Sequence, residues 1–130
     1  TIPFLSADQK KLTMALYNVF ENAVKYTIKG KVVISLYPTP SSLNLKVLDQ
    51  GIGIPKDQQK FLFTKFFRAR NAILLETEGS GLGLWIANEI VKKHKGKILL
   101  VESTEGKGTT FVLRFPTDPD LMPKGKIKGL

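Results

Sequence analysis

The chain has 130 residues, 42% of them hydrophobic and 24% charged, the balance of one globular domain large enough to bury a single core. It has no cysteine, which excludes disulfides and thiolate metal sites and fits a cytoplasmic setting, and no apolar run approaches the roughly 20 residues of a membrane span. Its 20 basic against 11 acidic residues give a net charge of +9, but the lysines are scattered, a pattern of solvated faces, so no nucleic-acid partner is expected.

Ser6-Ala7-Asp8-Gln9 has capping-box spacing, and Leu12, Leu16, Val19 and Ala23 then recur at helical intervals as a core stripe. Asn18, Asn22 and Lys25 follow the same period, roughly a quarter to a third of a turn from that stripe. This helix is expected to end between Thr27 and Gly30, with Gly30 as a left-handed cap. Lys31 to Tyr37 alternates, as do Leu43, Leu45 and Val47 after a Pro-Ser turn, which predicts a hairpin ending at Asp49. Ile54-Pro55 opens a short helical stretch carrying Phe61, Phe63, Phe66 and Phe67. Ala69 to Ser80 shows no clean period and reads as a mobile loop of a length that often carries function.

A helix from Gly81 to His94, closed by Gly96, buries Leu82, Ile86 and Ile90, and a second hairpin spans Ile98 to Phe115 around Glu105-Gly106-Lys107-Gly108. His94, in a lysine-rich helix end, reads as a partly charged structural imidazole. Residues 117–130 are rich in Pro, Gly and Lys and are expected to form a basic, flexible tail behind a domain of residues 1–116. The plan is an α+β sandwich, with helices on one face of a mixed or antiparallel sheet.

Two glycine clusters carry the chemistry. Asp49 is followed by Gly51 and Gly53, which let backbone approach a flat ligand, and an ionised carboxylate accepts hydrogen bonds only, which suits an exocyclic amine such as that of adenine. Gly79-Ser80-Gly81-Leu82-Gly83-Leu84 opens a helix, whose unpaired N–H groups and dipole favour an anion, but it matches neither the P-loop nor the dinucleotide fingerprint. Asn18 and Asn22 offer neutral oxygens to a hard cation such as Mg²⁺, and Lys25 offers a point charge to a phosphate.

Taken together, the chain resembles the catalytic and ATP-binding domain of sensor histidine kinases, of the GHKL superfamily. Asn18 to Thr27 is similar to the family's N box, Asp49 to Ile54 to its first glycine box and Phe63 to Arg68 to its F box. Gly79 to Leu84 is similar to the second glycine box and Gly106 to Phe111 to the closing Gly-Thr motif.

The resemblance implies a two-layer sandwich of the Bergerat type on a mixed sheet, holding ATP and Mg²⁺ beneath a lid formed by Ala69 to Ser80. It implies that Asp49 takes the adenine amine, directly and through a water shared with Thr109, in a base pocket shaped by Gly51 and Gly53, with Tyr26 packing near the adenine or ribose. Asn22 is the implied Mg²⁺ ligand, with Asn18 near the phosphates, Lys25 and Arg68 on phosphate oxygens, and Gly81, Leu82 and Gly83 presenting the helix start. Phe63 and Phe66 are expected to anchor the lid by packing, and Leu74 and Leu75 either lie under the lid or meet a partner.

The superfamily's ATPases carry a glutamate base where this chain has Asn18, so the resemblance implies transfer to an acceptor rather than hydrolysis; a non-kinase ATPase or serine kinase of the superfamily is the alternative. The implied partners are a separate dimerisation and histidine-phosphoacceptor domain and a response-regulator receiver domain. His94 does not resemble the acceptor motif.

Overall fold

A computed structural model describes Leu5, residues 7–76 and residues 79–117. In chain order these form α1 (Gln9–Lys25), β1 (Val32–Pro38), β2 (Ser42–Asp49), a 3₁₀ helix (Lys56–Phe61), α2 (Arg70–Leu75), α3 (Gly83–Lys93), β3 (Lys97–Thr104) and β4 (Gly108–Pro116). The strands make one sheet in the order β1-β2-β4-β3, antiparallel at every pairing among the described residues, the second of the two arrangements expected.

Helices α1 and α3 pack against each other and against one face of the sheet. Ala15, Val19 and Ala23 of α1 meet Ala87, Ile90 and Val91 of α3, over Val47, Ile98, Phe111, Leu113 and Phe115. Alanines on both helices let the axes approach closely, and truncating a fully buried member such as Leu113 would cost roughly 2–5 kcal/mol. β1 is an edge strand and runs past this helix layer, so Ile34 and Leu36, although they alternate, stay about half exposed.

Local chemistry moves several boundaries. The cap of α1 is Asp8, whose side chain accepts from Lys11 N–H; Ser6 of the expected capping box lies outside the described residues. That helix stops at Lys25 with Tyr26 as its C-cap, so Gly30 takes no part in closing it. The stretch after Pro55 is helical only to Phe61.

The expected loop contains α2, a helix of 6 residues burying only Ala72, too short to print a period in the sequence. At the end of α3 the left-handed position is taken by Lys95, at φ 60°, and Gly96 instead allows close packing, since a Cβ there would lie 2.5 Å from Arg114 O.

His94 is held in place at both ring nitrogens, as a structural residue would be. Its Nδ1 stands 2.8 Å from Ile90 O and its Nε2 accepts the Asp8 N–H at 3.0 Å. Of the expected tail only Thr117 is described, its N–H donating to Ser41 O, and the flexibility expected of 118–130 lies outside the described residues.

Candidate functional site

A cavity of about 370 Å³ opens between the flank of α1, the turn after β2, α2 and the start of α3. Eleven of the residues singled out in the sequence line it: Asn18, Asn22, Lys25, Tyr26, Asp49, Gly53, Arg68, Gly81, Leu82, Gly83 and Thr109. Gly51 does not line it and acts from behind, through the Asp49 carboxylate.

Asp49 closes β2, is 8% exposed, and pairs in register with Thr109 of β4. Its Oδ1 accepts the N–H groups of Gly51 at 2.9 Å and Thr109 at 3.2 Å. Burial pushes its carboxyl above the usual range, and those two backbone donors partly offset the effect. Oδ2 has no partner among the described residues and is the oxygen left for a ligand. The Thr109 hydroxyl is engaged by Ser103 Oγ at 2.8 Å, so the residue contributes its backbone to the carboxylate directly.

The turn after Asp49 is pinned on both sides. Ile52 N–H donates to Tyr26 O, and Gly106 N–H donates to Ile52 O. This closeness demands glycine: a Cβ on Gly51 would lie 2.5 Å from Tyr26 O, and one on Gly53, at φ +68°, would lie 2.1 Å from Thr104 O.

The cavity lining also gathers Asn18, Glu21, Asn22 and Lys25 of α1 beside the start of α3. The Asn18 and Asn22 amides make no hydrogen bond among the described residues, and Gly83 packs beside Asn18. α3 begins at Gly83 without a side-chain cap, so its first N–H groups stay available, although Leu82 N–H is already taken by Ser80 Oγ at 3.2 Å. Lys25 Nζ lies 2.8 Å from Glu76 Oε2 and 5.3 Å from the Tyr26 ring centre. The Glu76 carboxylate holds the Lys25 ammonium above its ordinary range, with burial opposing.

Arg68 is turned onto the lid rather than into the cavity's centre, its Nη2 donating to Ala72 O and Glu76 O. The expected lid anchors divide. Phe63 packs on Phe111 of the core, whereas the Phe66 ring is 65% exposed and only its backbone holds the lid, through Phe66 N–H to Gly81 O at 3.0 Å. Leu74 is 85% exposed, which removes the reading that places it under the lid. Asn71 and Glu76 escaped the sequence reading because an aperiodic segment gives no sign of which side chains turn inward.

Chemically, one end offers an acceptor-only carboxylate beside a glycine turn, suited to a flat base with an amine. The other offers amide oxygens, two cations and an open helix start, suited to a polyphosphate with a hard cation. Among the described residues no group of three or more His, Cys, Asp or Glu exists, so a cation here would rest on an amide and on its anion, which fits Mg²⁺.

Comparison with known proteins agrees with this geometry. The family model described as "Histidine kinase-, DNA gyrase B-, and HSP90-like ATPase" matches residues 7–119. Sensor histidine kinase WalK of Bacillus subtilis is 40% identical over 116 residues, 87% of this chain and 19% of WalK. Sensor-like histidine kinase SenX3 of Mycolicibacterium smegmatis is 40% identical over 114 residues, 87% of this chain and 29% of SenX3. The chain thus spans less than a third of these curated relatives.

Among solved structures, the mycobacterial sensor histidine kinase MprB superposes with a TM-score of 0.76 at 33% identity, covering 88% of this chain and 78% of that one. Full-length ShkA in complex with AMPPNP gives 0.72 at 28% identity, covering 90% of this chain and 24% of that one. The chain belongs to the histidine kinase-, DNA gyrase B- and HSP90-like ATPase family, and within it to the catalytic domains of sensor histidine kinases.

Proposed function

We propose that this chain is the ATP-holding half of a two-component kinase: it binds Mg-ATP and presents the γ-phosphate to a histidine on a separate dimerisation domain, from which the phosphoryl group passes to a response-regulator receiver domain. The observation that carries the reading is the Asp49 carboxylate, fixed through Oδ1 and open at Oδ2 beside a glycine turn whose Gly53 lines the cavity. Residues 1–116 would form the catalytic domain and 117–130 a basic tail, acting in the cytoplasm where ATP is supplied. Among the described residues no helix is long and apolar enough to cross a membrane.

In this reading Asp49 Oδ2 accepts from the adenine amine, Gly51 and Gly53 shape the base pocket, and Tyr26 flanks the adenosine. Lys25 and Arg68 draw the phosphate oxygens, and the amides at Gly81 and Gly83, joined by that of Leu82 once Ser80 Oγ releases it, hold the chain of phosphates at the start of α3. Asn22, with Asn18 beside it, would hold Mg²⁺, which supplies charge neutralisation on the phosphates. The incoming imidazole nitrogen forms a bond to the γ-phosphorus while the bond to the bridging oxygen breaks and ADP departs.

Asn18 occupies the place of a hydrolytic glutamate and cannot take a proton from water, which favours transfer over hydrolysis. His94 does not serve as acceptor: both its ring nitrogens are engaged, and it stands at the far end of α3, ~16 Å from that helix's start at 1.5 Å per residue.

The test mixes the chain with the dimerisation region of its parent kinase and γ-labelled ATP. Acid-labile, base-stable label on that region supports the proposal. Free phosphate alone would establish an ATPase, and acid-stable label on serine a serine kinase; either result overturns it.

A further inference from the structure

Asn71 stands on the lid helix α2 and lines the cavity. Its Nδ2 donates to two carbonyls of the glycine turn, Ile52 O at 3.3 Å and Gly53 O at 2.8 Å. These contacts fix the orientation of the amide, because turned over it would set its oxygen against two other acceptors. Oδ1 is therefore held on the other side of the group, buried and without any hydrogen-bond donor among the described residues.

A sealed amide oxygen without a donor is uncommon and unfavourable in a folded chain. Its natural relief is a donor brought by whatever fills the cavity. The glycine turn marks the base end of the pocket, whereas the phosphate-binding groups lie toward α1 and the start of α3. A triphosphate at neutral pH carries almost no donors, so a donor that the ligand itself brings belongs to the nucleoside, either the exocyclic amine or a sugar hydroxyl.

We propose that Asn71 is a specificity-determining residue, its Oδ1 accepting a hydrogen bond from the nucleoside while its Nδ2 holds the lid to the glycine turn. The inference rests on the nucleotide reading above and adds to Asp49 a second acceptor, placed on the lid. Recognition of the nucleoside and closure of the lid then act through one side chain.

The test compares binding of ATP, 2′-deoxy-ATP, 3′-deoxy-ATP and the triphosphate of purine riboside, which lacks the amine, to the wild-type chain and to Asn71→Ala, with Asp49→Asn as control. The variant is expected to bind ATP roughly tenfold more weakly while its nucleotide-free melting temperature stays close to wild type. The analogue missing the relevant donor should bind the wild type more weakly, yet lose nothing further in the variant, since both changes remove one contact.

Whichever analogue behaves this way identifies the amine or the hydroxyl. Equal losses across all four ligands would make Asn71 a lid anchor only and overturn the proposal, as would undiminished ATP binding. If ATP binds the wild type no better than Asp49→Asn, the nucleotide reading itself has failed, a result distinct from either.

Discussion

Lys25 Nζ and Glu76 Oε2 lie 2.8 Å apart, so the cation expected to meet phosphate is already paired, and with a carboxylate from the lid. The backbone carbonyl of the same Glu76 accepts from Arg68. One lid residue thus engages both cations of the proposed phosphate site, and a triphosphate must displace it. Glu76→Gln should therefore tighten ATP binding about two- to fivefold, a modest gain because both side chains are about a third exposed and partly screened. Adenosine, which has no phosphate, should bind both forms equally; calorimetric titration of the two ligands checks this.

Asp49 should separate affinity from stability. Its folded carboxyl is raised above the unfolded value by burial, with the Gly51 and Thr109 N–H groups opposing. A raised carboxyl contributes fully below the unfolded value, about 3.9, and that contribution is lost as pH climbs through the folded one, so the ionised group is a net cost at neutral pH. In Asp49→Asn the side-chain oxygen can still accept both N–H groups, while its NH₂ confronts the ligand's donor. The expected outcome is a nucleotide-free melting temperature at or above wild type at pH 7, no such gain at pH 3, and nucleotide affinity reduced by about 50-fold or more.

Two glycines of the site should respond in opposite ways. Gly53→Ala forces a Cβ to within 2.1 Å of Thr104 O at φ +68°, and should destabilise the chain by at least about 2 kcal/mol in urea unfolding. Gly83→Ala places its Cβ 3.5 Å from Asn18 Oδ1, an ordinary contact at the first position of α3. It should fold as well as wild type or gain up to about 1 kcal/mol.

His94→Ala removes the acceptor of the Asp8 N–H at the head of α1. That contact is exposed, so the expected loss is about 1 kcal/mol, or ~4 °C in melting temperature. ATP affinity should not change. Phosphotransfer to the dimerisation region should also survive, which checks that this histidine is not the acceptor.

The hairpins, both long helices and the cavity-lining set were legible because each rests on a strong local signal: alternation for β2 and β4, a 3.6-residue stripe for α1 and α3, and glycine where backbone must approach backbone. The lid was not legible. A helix of 6 residues with one buried alanine makes no periodic trace, and the inward turn of Asn71 and Glu76 depends on partners that lie elsewhere in the chain. The contact of His94 with Asp8 was hidden for the same reason, since the two lie 86 residues apart. Motifs named residues that line the cavity, but not those that hold one another across it.

Because β2 and β4 join two hairpins that can each zip up locally, the Asp49–Thr109 contact forms only when the halves of the sheet close on one another. The carboxylate proposed to read the base therefore depends on the central seam, which joins strands distant in the chain. A nucleotide held there as proposed would act as a stitch, and slower amide exchange on occupancy should concentrate along β2 and β4 rather than at the outer edges β1 and β3.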